Sequence, residues 1–320
     1  MNRRTFFKYG ALTVATIPLN KISGSDILTE IRSSKGNLSD MPTCIFVKPL
    51  EKYGYENIAV LLSEAGFDGA DISFRKGGLI EPDTAKGELP KLIKTFRNRN
   101  ISIPMAVSGI TDPDSSGTEE QLKLMADFGI KHYRLGMIQY NQSKSLVENL
   151  EGLKVKMDRL CELNARYGLH GAIQNHVGNG FGAPVWDAYT VIKDCDPQFL
   201  GFQYDIRHAV AEGNGSWPLG LDIIANHIHT ICIKDFTWVQ NENNFKPVSV
   251  PLKEGIVDFK KYFAILKNKH VSALASIHYE YPLLTESDSE LGINEQMKKI
   301  IPVLKQDLDV YKKMQLDYFK

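Results

Sequence analysis

The chain lacks a metal-knuckle or disulfide pattern, a surplus of either charge, and a nucleotide-binding glycine loop. Its four cysteines, Cys44, Cys161, Cys195 and Cys232, are spread with no CxxC spacing. That excludes a zinc knuckle and a disulfide-stapled scaffold, and leaves buried thiols as the expected state. Lys plus Arg and Asp plus Glu each number 38 in 320 residues. Binding to a polyanion is dominated by phosphate neutralisation and leaves a basic footprint, so this balance argues against DNA or RNA as partner. No GxGxxG or P-loop stretch marks a dinucleotide or nucleotide site. Sequence repeats, low-complexity tracts and signs of a second domain are also missing. With 43% hydrophobic and 24% charged residues, the composition is that of an ordinary globular chain.

The first twenty residues, MNRRTFFKYGALTVATIPLN, have a basic start, Arg3 and Arg4, then Thr5, Phe6, Phe7 and Lys8, then a modest apolar run over 9–19. This resembles a twin-arginine export signal; an amphipathic first helix of the fold is the alternative. The run falls short of the ~20 apolar residues that a bilayer span needs, so no stable membrane span is expected. Residues 1–40 are read as signal and linker, with the mature chain beginning somewhere in 19–41. The protein is therefore expected to be periplasmic or otherwise exported.

From residue 41 to the end, apolar runs alternate with amphipathic stretches. CIFVKPL, FDGADISFR, ISIPMAVS, IKHYRLG, LHGAIQNH, FLGFQYD, IHTICIKD and VSALASIHYE read as strands. Helices are expected over about 57–64, 83–99, 119–128, 143–167, 184–193, 218–225, 258–267 and 294–318, with Gly66, Gly129 and Gly168 as C-terminal caps. Strands separated by helices must pair in parallel through crossovers, and eight such units close into a single (β/α)8 TIM barrel spanning 41–320. An open doubly wound sheet is the alternative. The stretch 236–254, with Trp238, is long enough for a lid or a surface loop.

Side chains two apart on a strand share a face. That rule groups Gln174 with His176, Gln203 with Asp205, Cys232 with Lys234, and Ser276 with His278 and Glu280. Asp71, Ser73 and Arg75 share a face of an earlier strand, as do His132 and Arg134. Ile173, Phe202, Tyr204, Ile231, Ile233, Ile277 and Tyr279 would pack outward under the helices. A barrel filled for stability alone takes branched apolar residues, and buried charge is costly unless paired. So many polar side chains at the C-terminal ends of strands point to a site at the barrel mouth.

FDGADIS, QNHVG, YDIRHA, IKDF and HYEY resemble the xylose-isomerase-like barrel superfamily of sugar isomerases and epimerases, over the chain from about Met41 to its end. More narrowly, QNH, GAPVWD, GFQYDIRHAVAEG, SWP, IKDFTW and VDFKKYF resemble an exported bacterial subgroup of sugar phosphate isomerase/epimerase-like proteins. The resemblance implies a metal held by a glutamate on the fifth strand, an aspartate on the sixth, a histidine on the seventh and a glutamate on the eighth. Asp205 matches the aspartate, and His208 the histidine that often follows it. Gln174 and Cys232, however, stand where the first glutamate and the histidine would be, and either His278 or Glu280 could take the last position. An amide in place of a carboxylate weakens a site for Mg or Mn, while Zn tolerates a thiolate.

A divalent metal (Mn, Zn or Mg) on Asp205, His208, His278 and Glu280 is thus one expectation. The other is metal-free acid-base chemistry. In it, Glu280 or His176 removes a proton next to a carbonyl, Lys234 stabilises the enolate, and Asp205 orients His208. Gln174, Asn175, Arg134 and Arg75 are the expected substrate-binding residues, with Trp238 stacking on a sugar face. The expected activity is interconversion of a sugar or keto-sugar. A lyase or hydratase of an oxidised glycoside, a non-catalytic sugar-binding barrel and an abasic-site endonuclease are the rivals, the last opposed by the charge balance.

Overall fold

A computed structural model describes residues 42–242 and 244–319; the segment read as an export signal lies outside the described residues. Eight parallel strands close into a barrel: β1 (Thr43–Phe46), β2 (Gly69–Phe74), β3 (Ser102–Ser108), β4 (His132–Arg134), β5 (His170–Gln174), β6 (Leu200–Asp205), β7 (Ile228–Ile233) and, after a hairpin, β10 (Leu274–Ile277). The order around the barrel is β1-β10-β7-β6-β5-β4-β3-β2. Each expected strand is present, so the (β/α)8 reading holds.

The surrounding helices follow the same alternation: α1 (Gly54–Ala65), α2 (Ala85–Arg97), α3 (Thr118–Asp127), α4 (Leu146–Tyr167), α5 (Val185–Ile192), α6 (Ile206–Gly213), α7 (Trp217–Ile224), α8 (Phe259–Asn268), a short α9 (Glu286–Ser289) and the terminal α10 (Ile293–Phe319). Gly66, Gly129 and Gly168 have φ of 91°, 78° and 63°, the left-handed conformation that lets the chain leave a helix and enter the next strand. The fourth helix starts later than the sequence pattern suggests. Ser145 accepts a bond from the Glu148 amide and its own amide is held by the Glu148 carboxylate, a reciprocal cap that fixes Leu146 as first residue.

Two elements depart from expectation. The stretch 236–254 is not an irregular loop: β8 (Asp235–Asn241) and β9 (Asn244–Val250) pair antiparallel, Phe236 opposite Ser249 and Trp238 opposite Pro247. Its asparagines cluster at the turn, so the β-forming residues on either side were free to pair. The strand FLGFQYD ends at Asp205 as expected, but an additional helix, α6, follows it at once; the Asp205 side chain accepts from the His208 amide and caps it.

Inside the barrel Cys44, Met105 and Leu274 form a small apolar plug. The outward faces of the strands, including Phe202, Tyr204, Ile231, Ile233 and Ile277, join the main core beneath the helices. All four cysteines are buried and unpaired. Among the described residues no helix is long and apolar enough to cross a membrane.

Candidate active site at the barrel mouth

A cavity of about 450 Å³ opens at the C-terminal ends of the strands, with Phe46, Lys48, Arg75, Arg134, Met137, Gln174, His176, His278, Tyr279 and Glu280 in its wall. Six residues singled out by strand alternation, Arg75, Arg134, Gln174, His176, His278 and Glu280, therefore face one space. A second cavity of about 550 Å³ adjoins it across Met137. Its lining pairs Lys156 with Asp112 at 2.6 Å and ties Glu148 into the cap of α4, whereas the first cavity collects the residues grouped at the strand ends.

Beneath that cavity lies a buried ionic cluster. Lys234 is 2% exposed, and its Nζ lies 2.9 Å from Asp205 Oδ2, 2.8 Å from Glu280 Oε1 and 3.0 Å from His208 Nε2. An ammonium ion stripped of water is stable only with such partners. Burial works against the charge of Lys234, but Asp205 and Glu280 outweigh it and hold the ammonium form firmly. Glu280 shows the mirror image: burial pushes its carboxyl up, the adjacent Lys234 pulls it down, and the net shift is downward. Its side chain is 41% exposed and lines the cavity, so it is an ionised carboxylate with one face open to that space.

The chain around Glu280 explains its aim. Tyr279 and Tyr281, one residue to each side, turn outward and anchor to α10: the Tyr279 hydroxyl donates to the Leu304 carbonyl (2.5 Å) and Tyr281 to Asp307 Oδ2 (2.8 Å). Alternation then leaves Glu280 facing the cavity.

His176 is the second base candidate. Its Nδ1 contacts the Val177 carbonyl at 2.9 Å, and a carbonyl only accepts, so the proton sits on Nδ1 and Nε2 keeps its lone pair. Burial, with Lys234 adding repulsion, lowers its pKa below the ordinary histidine value. The ring lies 4.1 Å from that of His208. His208 lies between cations, with Arg207 at 2.9 Å from Nδ1 and Lys234 at 3.0 Å from Nε2, and Asp205 Oδ2 stands 3.5 Å from Nε2; burial together with these cations drives its pKa far down.

Three expected roles need correction from the geometry. Lys234, Asp205 and His208 lie behind the cavity wall rather than in it, so Lys234 supports Glu280 and does not reach a bound ligand. Asn175 does not face the cavity; its amide bridges to the Asp205 backbone, accepting from its N–H (2.7 Å) and donating to its C=O (2.9 Å), which ties β5 to β6. Trp238 sits on the hairpin, packed edge-on against Phe236 and outside the cavity wall. Sequence reasoning missed Lys48, which follows β1 as Arg75 follows β2 and was legible by the same rule. It also missed Arg207, which bonds the Pro247 carbonyl at 3.2 Å and holds the hairpin over α6.

The donor set does not fit a divalent metal. Gln174 Oε1 accepts from the Arg134 guanidinium and its Nε2 donates to Asp205 Oδ2 (2.8 Å), so the amide turns its N–H groups toward the carboxylate that would be a ligand. Asp205 Oδ2 already carries the Lys234 ammonium, a cation standing where a metal would need this oxygen. The Cys232 thiol is pushed well above its ordinary pKa, first by burial and then by Asp205, whereas a coordinating sulfur must be thiolate. His278 Nε2 lies 3.3 Å from Cys232 Sγ and 3.7 Å from Asp71 Oδ2, away from Asp205. Among the described residues no group of three or more His, Cys, Asp or Glu side chains is placed to hold a metal ion.

A closed (β/α)8 barrel with ionisable groups at its C-terminal mouth has the layout of a barrel enzyme. The chain belongs to the xylose isomerase-like TIM barrel family, whose sequence model matches residues 59–305. No curated protein matches the chain. Among solved structures, it is similar to the IOLI protein with a bound zinc atom (15% identity, 87% of this chain and 99% of that one, TM-score 0.65). It is also similar to D-allulose 3-epimerase from Methylomonas sp. in complex with D-allulose (14%, 85% and 96%, 0.63). A third is the probable 3-DHS dehydratase AsbF of Bacillus anthracis (14%, 85% and 98%, 0.62). At these identities the likeness establishes the fold.

Proposed function

We propose that the protein is an isomerase- or epimerase-like enzyme that moves a proton next to the carbonyl of a sugar or keto-sugar. The observation that carries this is the pairing of Glu280 with Lys234: an ionised carboxylate, held by a buried ammonium at 2.8 Å, with its free face in a sugar-sized cavity. Glu280 takes the proton from the carbon next to the carbonyl, and the electron pair moves onto the carbonyl oxygen as an enolate. Arg134, buried at the cavity floor with its Nε unpartnered, supplies the positive charge that this oxygen needs, the task first expected of Lys234. His176 Nε2 is a second proton acceptor, suited to a substrate hydroxyl. Return of the proton to the other face gives an epimer, return to the neighbouring carbon an isomer, and loss of a β-substituent an elimination. The similar solved structures include both an epimerase and a probable dehydratase, a range consistent with one shared first step.

The test is incubation with a panel of ketoses, aldoses and 3-keto-glycosides in deuterium oxide, followed by proton NMR. Deuterium appearing next to the carbonyl in the parent and not in Glu280→Gln supports the reading, and the product distinguishes isomerase from lyase. Sugar binding without exchange on any substrate would replace it with a non-catalytic binding barrel. Export through residues 1–40 belongs to the same proposal; an R3K/R4K double variant should lose periplasmic accumulation, and unchanged accumulation would refute it.

A further inference from the structure

The two walls of the cavity differ in how their charges are satisfied. On the β10 side the carboxylate of Glu280 has Lys234. On the opposite side stand Lys48, just after β1, Arg75, just after β2, and Arg134, at the end of β4, all in the cavity wall. Among the described residues none of these three cations has a carboxylate within ion-pair distance, and Arg134 makes its one side-chain bond to the neutral Gln174. Three cations therefore face a space whose single carboxylate is already neutralised from behind. Nor is Arg75 a loose surface side chain. The turn that follows it is closed by Gly78 N–H on the Arg75 carbonyl (2.9 Å) and by Ile80 N–H on the Ser73 carbonyl (3.0 Å), and a Cβ at Gly78 would meet backbone oxygen at 2.8 Å. Its stem also runs beside the backbone of Gly109, where a Cβ would meet Arg75 Cβ at 3.5 Å. Unpaired cations at a mouth with low-dielectric walls concentrate anions, and a guanidinium beside an ammonium matches the oxygens of a carboxylate or phosphate.

We infer that Arg75 and Lys48 form an anion subsite, leaving Arg134 to the carbonyl oxygen, so that the substrate is a sugar derivative bearing a carboxylate or phosphate group. The anionic end lies toward β1 and β2 and the carbonyl toward Glu280. This rests on the proton-transfer reading for the second half of that placement, but the subsite is tested by binding alone.

Isothermal titration of the purified protein with D-glucuronate, D-glucose 6-phosphate and neutral D-glucose, with inorganic phosphate as competitor, reads it directly. An anionic sugar should bind at least about tenfold more tightly than glucose at low salt, weaken as salt rises, and be displaced by inorganic phosphate. Whichever of the two anionic sugars binds more tightly names carboxylate or phosphate. Arg75→Gln, at a half-buried rim position, should abolish the preference, and Lys48→Gln should reduce it, each with thermal unfolding unchanged. Equal binding of anionic and neutral sugars, or a preference that survives Arg75→Gln and Lys48→Gln together, would overturn the inference. An intact anion preference in a protein that catalyses no deuterium exchange would leave the subsite standing and remove only the proposed reaction.

Discussion

The two ends of the barrel both gather polar side chains, buried at the mouth and half-buried at the foot, and they treat charge in opposite ways. At the C-terminal mouth Lys234, Asp205 and Glu280 are charged, and their charges oppose one another at 2.8–2.9 Å. At the N-terminal end, His132 opens β4, His170 opens β5 and His229 lies near the start of β7. Ring centroids are 4.7 Å apart for the first pair and 5.2 Å for the second. Burial, with repulsion from the neighbouring rings, pushes His132 down to about 3, and burial pushes His229 down to about 4 against a bond to the Pro197 carbonyl. The mouth holds its ions in pairs, and the foot disfavours charge on His132 and His229.

Variants can break this contrast from either side. Glu280→Gln should have the largest functional effect, lowering the exchange rate by about 10²–10⁴-fold, the usual worth of a positioned base, with thermal unfolding little changed because the side chain is partly exposed. Lys234→Met should unfold the protein more readily, by about 3–5 kcal/mol in urea titration, because it leaves Asp205 buried without its cation. It should also raise the pKa of Glu280, moving the acid limb of any rate profile toward neutral pH.

The foot should govern acid stability. In the unfolded chain these histidines take protons near 6.5, while in the fold His132 and His229 refuse them until about 3 and 4. The unfolded state thus binds more protons below 6.5, and stability should decline as pH falls from 6.5 toward 4. His132→Leu should flatten that decline in urea titrations at stepped pH; an unchanged slope would show that the cluster does not carry it. The smallest effect belongs to Gly171→Ala, beside His170. Its Cβ would meet the Asn164 amide at 2.6 Å, so it should cost about 1–3 kcal/mol of stability and leave the chemistry at the far end unaltered.

The barrel was legible in the sequence because its two signals agree: strand-length apolar runs alternate with amphipathic stretches, and glycine caps close three of the helices. The cavity-facing residues were legible for a related reason. A period of two, carried to the last residue of each strand, puts Arg134, Gln174, His278 and Glu280 on the inner face without any tertiary knowledge. Depth was not legible. The same rule that faces Lys234 inward cannot say that Glu280 covers it, since that depends on how far each strand rises in the barrel. The role of Asn175 was hidden because an amide at a strand end looks the same whether it meets a ligand or the neighbouring backbone. The hairpin carries the ordinary signals, asparagines at its turn and polar residues alternating with apolar ones, but a stretch of that length at a barrel mouth also suits a lid or loop.

The central claim is that Glu280, held by the ammonium of Lys234 in a donor set that does not fit a metal, moves the proton. The most direct test is deuterium exchange into a turned-over sugar by the parent, by the parent after exhaustive chelation and dialysis, and by Glu280→Gln, side by side. Exchange that survives chelation and disappears with Glu280→Gln is the predicted result. Exchange that stops on chelation and returns with added manganese, magnesium or zinc would contradict it.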